Sequence, residues 1–207
     1  MSEISKTNQS FEKAKQIIQE HGGVIRTVEA LKAGIHPRNF YALRDQGILE
    51  QVSRGVYRLA GLPPMSNLDI VAVATRIPRA VICLISALSF HDLTTQIPHK
   101  VEIALEKGAE TPRIDFPPLS VHRFSKAAFE SGVEEHNVDG VTIRVYCPEK
   151  TLADCFKFRN KLGMDVVLEA LKLYKSRKKQ FKVRDILLYA RICRVEKIMK
   201  PYLEVVI

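Results

Sequence analysis

The sequence has few of the features that mark membrane, metal-binding or disulfide-linked proteins. Its longest apolar stretches, around residues 67–77 and 80–88, are too short and too interrupted to cross a bilayer, and no signal-peptide run opens the chain. The four cysteines are scattered through apolar neighbourhoods, without a CxxC pair or a Cys/His pair at metal-ligand spacing. We therefore expect a cytoplasmic protein with reduced, buried thiols and no bound metal.

The chain also lacks the short motifs of common enzymes. It has no glycine-rich phosphate loop and no nucleophile elbow. A metal-dependent nuclease would pair an acidic residue with a Glu-x-Lys on the next strand, and Asp92 and Glu102 come close to that pattern, but Ala104 stands where the lysine is needed. His91 and Asp92 are adjacent, so on a helix they would point about 100° apart and would not share a face. We therefore predict a binding protein and not an enzyme, with no catalytic residue and no cofactor.

The composition is that of an ordered chain with two domains. It has 207 residues, of which 46% are hydrophobic, and it shows no low-complexity tract and no internal repeat. Folding a chain of this size hides roughly 70% of its unfolded surface, which is enough for two modest cores. The segment 61–64, Gly-Leu-Pro-Pro, is typical of a linker, because the residue before a proline is pushed to extended geometry. We predict one domain over residues 1–64 and a second over residues 65–207.

The first domain has the order helix, short helix, turn, helix and hairpin. Apolar residues at helical spacing follow Ser10, a candidate cap, and end at the glycine pair 22–23. Thr27 can cap a short second helix, which Gly34 would end in a turn that needs a positive backbone angle. Pro37 stands at the first position of a third helix, where its missing N–H costs nothing. This order is typical of a winged helix-turn-helix.

The third helix and the hairpin present cations outward. An arginine and an asparagine near the start of such a helix suit a DNA major groove, where they pair with guanine and adenine edges. The hairpin has β-prone runs at 48–52 and 56–59 and a cation at its tip, which would reach a phosphate or the minor groove. Tyr57 or the cation beside it would lie along the DNA backbone. The predicted DNA-binding residues are Thr27, Arg38, Asn39, Tyr41, Arg44, Arg54 and Arg58.

The alternative is a protein-interaction module whose winged helix does not read DNA specifically, since one fold serves many functions. The net charge of +9 is uneven: +3 over residues 1–64, −3 over 65–143 and +9 over 144–207. The densest part of this surplus predicts a second basic surface that would meet nucleic acid or an acidic partner, or would simply be a solvated helix end. Its residues are Lys172, Lys175, Arg177, Lys178, Lys179, Lys182 and Arg184.

Beyond the linker the pattern predicts a mixed α/β domain. Strand-like runs lie at 81–84, 100–105 and 119–124, and a hairpin spans 134–146 around Asp139-Gly140. Helical spacing then dominates from residue 148 onward. The predicted fold class is α+β, an N-terminal winged helix-turn-helix followed by a mixed α/β domain with a small sheet and a helical C-terminal third.

Three segments in this order resemble the AbiEi family of type IV antitoxins: RGVYRL at 54–59, ICLISALSFH at 82–91 and YCPEKTLADCFKFR at 146–159. The resemblance implies a transcriptional autorepressor encoded beside an AbiEii-type nucleotidyltransferase toxin, in a bacterial system that aborts phage infection. It implies that the winged helix binds repeats in the double-stranded DNA of its own promoter and that the C-terminal domain carries the antitoxin activity. By the resemblance, Arg38, Asn39, Arg44 and Arg54 inherit the DNA role.

Overall fold

The computed structural model describes residues 2–62, 67–177 and 181–206. These fall into two compact units, one of Met1–Pro78, Asp115–Pro117 and Asn137–Ile143, and one of Arg79–Ile114, Pro118–His136 and Arg144–Ile207. Eleven helices and two sheets in the described residues confirm the α+β prediction. The predicted boundary at residue 64 lies outside the described residues and remains a proposal.

The first unit packs helices against a three-stranded antiparallel sheet. Its helices are α1 (Ser2–Glu20), α2 (Thr27–Lys32), α3 (Pro37–Asp45) and α4 (Leu68–Arg76), and its strands are β1 (Val24–Arg26), β2 (Leu49–Ser53) and β3 (Val56–Leu59), in the order β1-β3-β2. Phe40 of α3 is fully buried and meets the ring of Tyr57 of β3 edge-on, with centroids 5.1 Å apart. This contact fixes α3 on the sheet.

Two local predictions for this unit were wrong, and one strand was not predicted. The helix α1 begins at Ser2, so Ser10 lies inside it and does not cap it. The N-cap of α2 is Arg26, and Thr27 is the first helical residue. The strand β1 was not predicted, because three residues are too few to show an alternating pattern. Gly34 has φ 93° and ends the α2 segment as predicted.

The second unit is built on a mixed five-stranded sheet, apart from the hairpin tip Asn137–Ile143, which belongs to the first unit. Its strands are β4 (Val81–Ile82), β5 (Val101–Glu106), β6 (Leu119–Phe124), β7 (Val133–Val138) and β8 (Val141–Tyr146), in the order β6-β5-β4-β8-β7. Strand β4 runs antiparallel to β5 and parallel to β8, and β5 runs parallel to β6. The hairpin at Asp139-Gly140 forms as predicted, with both residues at positive φ.

Seven helices complete the sequence of elements. They are α5 (Leu84–Phe90), α6 (Lys126–Glu130), α7 (Pro148–Lys157), α8 (Arg159–Leu162), α9 (Met164–Ser176), α10 (Val183–Ile192) and α11 (Glu196–Val206). The helical C-terminal third is therefore confirmed. The strand predicted over 81–84 is shorter than expected because Leu84 already begins α5. None of the helices in the described residues has the length and apolar character needed to cross a membrane.

An ion pair is buried at the centre of the second unit, on α7. The Lys150 Nζ atom lies 2.5 Å from Asp154 Oδ2, and neither side chain is exposed. The ammonium group also lies 4.0 Å from the ring centroid of Tyr146 and 4.9 Å from that of Phe124. Burial raises the pKa of Asp154, although Lys150 acts in the opposite direction. The Cys193 thiol donates to the other carboxylate oxygen at 3.2 Å, so the pair is held from two sides.

Candidate nucleic-acid interface

The helix α3 begins with a local capping arrangement. Pro37 occupies its first position, as predicted. The side chain of His36, the N-cap residue, accepts a hydrogen bond from the Arg38 N–H, with 3.2 Å between Nδ1 and N. The cap satisfies one of the unpaired N–H groups at the helix start and fixes the direction in which α3 leaves the turn.

The two faces of α3 differ sharply. Phe40 and Leu43 are fully buried in the core of the first unit. Arg38 and Tyr41 are exposed on the opposite face, whereas Asn39 is half-buried at its flank. The core contacts therefore hold the helix so that polar and cationic side chains face solvent over two turns.

Arg44 is held by two neighbours on the same helix, and it also interacts with the side chain of Tyr57 on β3. Its Nε and Nη2 atoms donate to Asp45 Oδ1 at 2.8 and 2.7 Å, and its guanidinium lies over the ring of Tyr41, 5.0 Å from the centroid. The hydrogen bonds to Asp45 raise the pKa of Arg44, so the group stays cationic at any physiological pH. The side chain remains 41% exposed, so it is ordered and still accessible.

The hairpin tip carries an accessible cation, as predicted. Gly55 in the turn between β2 and β3 has φ 74°, a conformation that favours glycine. The Arg54 side chain is 82% exposed, and its Nη1 atom lies 3.2 Å from Asp115 Oδ2. An ion pair this exposed is weak, so a phosphate can replace Asp115 as the partner of Arg54.

Thr27 ties the start of α2 to the hairpin turn. Its N–H donates to the Gly55 carbonyl at 2.9 Å, and its hydroxyl lies 3.5 Å from the same oxygen. The side chain is half-buried. Its placement supports the geometry of the turn, and a direct contact of Thr27 with DNA remains a prediction.

Arg58 occupies a different position from the one the sequence suggested. It is 8% exposed on the central strand β3, and its Nη2 atom donates to the Leu62 carbonyl at 2.6 Å. Its Nε atom lies 3.5 Å from the Glu50 carboxylate. Tyr57 is buried in the core as well. We therefore assign both side chains to the structure of the sheet and leave them out of the DNA surface proposed below.

The second basic surface is only partly a free surface. Arg177 donates to the backbone carbonyls of His91 and Asp92, and Lys182 lies 4.0 Å from the buried Glu149 carboxylate. Lys172 and Arg184 are exposed and Lys175 is half-buried, whereas Lys178 and Lys179 lie outside the described residues. Arg177 and Lys182 therefore make contacts within the unit.

The carboxylate considered for a nuclease site is engaged in the fold. One Glu102 oxygen accepts from the Ile85 N–H at 2.7 Å at the start of α5, and the other lies 3.2 Å from His122 Nε2. Ala104 is buried in the sheet. His91 is half-buried, its Nε2 lies 2.8 Å from the Tyr146 carbonyl, and burial lowers its pKa. Within the described ranges, no group of three or more acidic, histidine or cysteine side chains is arranged to hold a metal ion.

Two side chains that shape the α3 surface were not among the residues predicted from the sequence to bind DNA. These are His36, which caps the helix, and Asp45, which binds Arg44. The spacing did contain a signal, since Tyr41 and Asp45 are four residues apart and therefore share a face. A sequence cannot, however, tell which rotamers the side chains on that face adopt.

Comparison with known proteins finds a family that is similar to the segment carrying this surface. A family model described as the AbiEi antitoxin transcriptional regulator matches residues 12–60, which confirms over that segment the family resemblance inferred from the sequence. The fold is similar to the crystal structure of the RV2827C protein from Mycobacterium tuberculosis, with a TM-score of 0.56 and 13% identity over 92% of this chain and 79% of that one. At this identity the similarity shows a shared fold alone. No curated protein sequence matches the chain.

Proposed function

We propose, from the premise that residues 12–60 belong with the AbiEi antitoxin transcriptional regulators, that this chain is a sequence-specific DNA-binding repressor of its own promoter. The match itself points to a transcriptional regulator or antitoxin. DNA specificity, the operator and the toxin-antitoxin role are our proposals. A repressor of this kind acts in the cytoplasm, where the bacterial chromosome lies.

The segment that matches the family model holds the groups that DNA binding needs. Within residues 12–60, α2, α3 and the β2–β3 hairpin follow one another as in a winged helix-turn-helix. In our proposal α3 enters the major groove, Arg38 and Arg44 contact guanine edges, and Asn39 and Tyr41 contact bases or backbone beside them. Arg54 at the hairpin tip contacts a phosphate or the minor groove. The observation that carries this proposal is the cationic, solvent-facing side of α3.

The second half of the proposal is an antitoxin activity in residues 65–207. It rests on the resemblance of the segments 82–91 and 146–159 to AbiEi antitoxins. The functional partner would be an AbiEii-type nucleotidyltransferase toxin in a type IV system that aborts phage infection. The expected test is growth rescue: expression of the full chain should restore growth of cells that express the toxin encoded beside it, and a chain without effect on that toxin would contradict this half.

The alternative function is an interaction module that docks through its basic C-terminal region. It predicts weak, sequence-indifferent DNA binding that falls steeply with salt, because only phosphate contacts would remain. The contacts of Arg177 and Lys182 within the second unit reduce the charge available for such docking. We therefore favour the repressor.

A competition gel shift separates the two functions. The full chain is titrated against the DNA upstream of its own coding sequence, with unrelated DNA of equal length as competitor, at about 150 mM salt, where nonspecific binding is much reduced. The repressor predicts a discrete shift that survives competitor. A smeared shift that competitor abolishes would contradict it and favour the interaction module.

A further inference from the structure

The backbone of α3 alone does not aim Arg44 at the centre of the outward face. Successive residues of a helix point about 100° apart, so Arg38 and Asp45 point within about 20° of each other, at the centre of that face. By the same geometry Tyr41 lies about 60° and Arg44 about 120° from Arg38, on one side. Arg44 would therefore point to the flank of α3 if no neighbour held it.

The contacts of Arg44 correct this direction. Its guanidinium lies over Tyr41, and its two hydrogen bonds go to Asp45. Both partners stand between Arg44 and Arg38 around the helix, so each draws the guanidinium towards the centre of the outward face. The hydrogen bonds of 2.8 and 2.7 Å to a single carboxylate oxygen fix the plane of the group as well as its position.

Helix stability does not account for Asp45. A carboxylate in the last turn of a helix lies at the negative end of the helix dipole, where it is disfavoured. Its side chain is 62% exposed, so it also contributes little to the core. A carboxylate on the outward face further opposes the approach of phosphates. Its clearest contribution is to the orientation of Arg44.

We propose that Asp45 is a specificity-determining positioning residue: it orients Arg44 for one base pair and repels DNA that offers only phosphates. This inference rests on the proposed DNA-reading function. It predicts opposite effects on two affinities when Asp45 is removed. Binding to the operator weakens because Arg44 turns towards the flank, whereas binding to unrelated DNA stays equal or strengthens because a negative charge is lost.

The test measures the ratio of the two affinities in the full chain. Asp45→Ala should lower the ratio of operator to unrelated-DNA affinity by about fivefold or more, the low end of the discrimination that one well-placed arginine supplies. Asp69→Ala is the matched control, because it removes the same charge from an exposed position on α4. The control should leave the ratio close to that of wild type, because no base contact is lost.

A double-mutant cycle shows whether Asp45 acts through Arg44. In an Arg44→Ala background, Asp45→Ala should lower the ratio by a clearly smaller factor than in wild type, since only the loss of the negative charge remains and no guanidinium is left to be oriented. In thermal unfolding, the melting midpoint of Asp45→Ala should equal that of wild type or lie slightly above it, because a carboxylate is disfavoured in the last turn of a helix. If Asp45→Ala proves unstable, Asp45→Asn, which keeps the size and one acceptor oxygen, should lower the ratio by a smaller factor.

Each outcome is decisive. A specific wild type whose ratio does not change on Asp45→Ala would overturn the role of Asp45 and leave the repressor proposal standing. An equal fall of the ratio in the Arg44→Ala background would also overturn it, since Asp45 would then act independently of Arg44. A wild-type chain without preference for its upstream DNA would overturn the proposed function, and this inference with it.

Discussion

Replacing Lys150 with methionine tests the buried ion pair of the second unit. Methionine keeps most of the side-chain length and removes the cation that lies 2.5 Å from Asp154 Oδ2 and 4.0 Å from the centre of the Tyr146 ring. Asp154 then keeps the Cys193 thiol as a donor at 3.2 Å. Removing one partner of a fully buried pair costs about 3 to 5 kcal/mol of unfolding free energy, because a buried charge is left uncompensated.

The loss of unfolding free energy on Lys150→Met has an upper bound and a characteristic pH dependence. Asp154 can become neutral by binding a proton. For a carboxyl with an unfolded pKa of about 3.9, this protonation costs about 4 kcal/mol at pH 7. Burial already raises the pKa of Asp154 in the folded protein, and the loss of Lys150 raises it further. A folded pKa above the unfolded one gives stability that is present below the unfolded pKa and is lost as the pH rises through the folded pKa. The difference in unfolding free energy between variant and wild type should therefore become smaller as the pH falls from 7 towards 4.

Urea unfolding of the full chain at pH 7.5 and at pH 5 measures both effects. Lys157→Met is the matched control, because Lys157 is an exposed lysine on the same helix, and it should cost less than about 1 kcal/mol. The double variant Lys150→Met with Asp154→Leu should be much closer to wild type than Lys150→Met alone, because it removes both buried charges. A loss below about 1 kcal/mol at pH 7.5, or one that does not shrink at pH 5, would refute the reasoning.

Three further predictions concern the first unit. Arg38→Ala should cost about 1 to 3 kcal/mol of discrimination between operator and unrelated DNA in a competition gel shift, with an unchanged melting midpoint, and equal discrimination would remove Arg38 from the site. Arg58→Ala should lower the unfolding free energy by about 2 to 3 kcal/mol in urea, because its bonds to Leu62 and Glu50 are lost; a variant of normal stability with weaker DNA binding would return Arg58 to the interface. The buried Ser53 hydroxyl has no hydrogen-bond partner in the described part of the chain, so Ser53→Ala should leave the melting midpoint equal or higher, and a clear drop would contradict this.

The elements that could be predicted from the sequence are those with local signals. Pro37 marks the start of α3, and its apolar spacing identifies Phe40 as a core residue. Asp139-Gly140 marks the β7–β8 turn because both residues adopt positive φ. These signals depend on a few adjacent residues, so they do not require knowledge of the tertiary fold.

The features that were not predicted from the sequence are those that tertiary packing decides. The unpredicted strand β1 pairs with β3 and makes β3 the central strand, so all four of its residues are buried, Arg58 included. Lys150 and Asp154 stand four residues apart, a spacing typical of an exposed helical pair, yet α7 lies in the middle of its unit and buries both. The direction of Arg44 depends on rotamers that its contacts with Tyr41, Asp45 and Tyr57 select in the folded chain.

The central claim is that α3 and the hairpin read DNA in the upstream region of the chain's own coding sequence. A nuclease-protection footprint of the full chain on that DNA, at about 150 mM salt, tests it most directly. The account predicts protection confined to discrete sites, which Arg38→Ala and Arg44→Ala each weaken while Arg191→Ala, which changes an exposed arginine on α10, does not. Uniform protection along the fragment, or protection unaffected by both α3 variants, would contradict it.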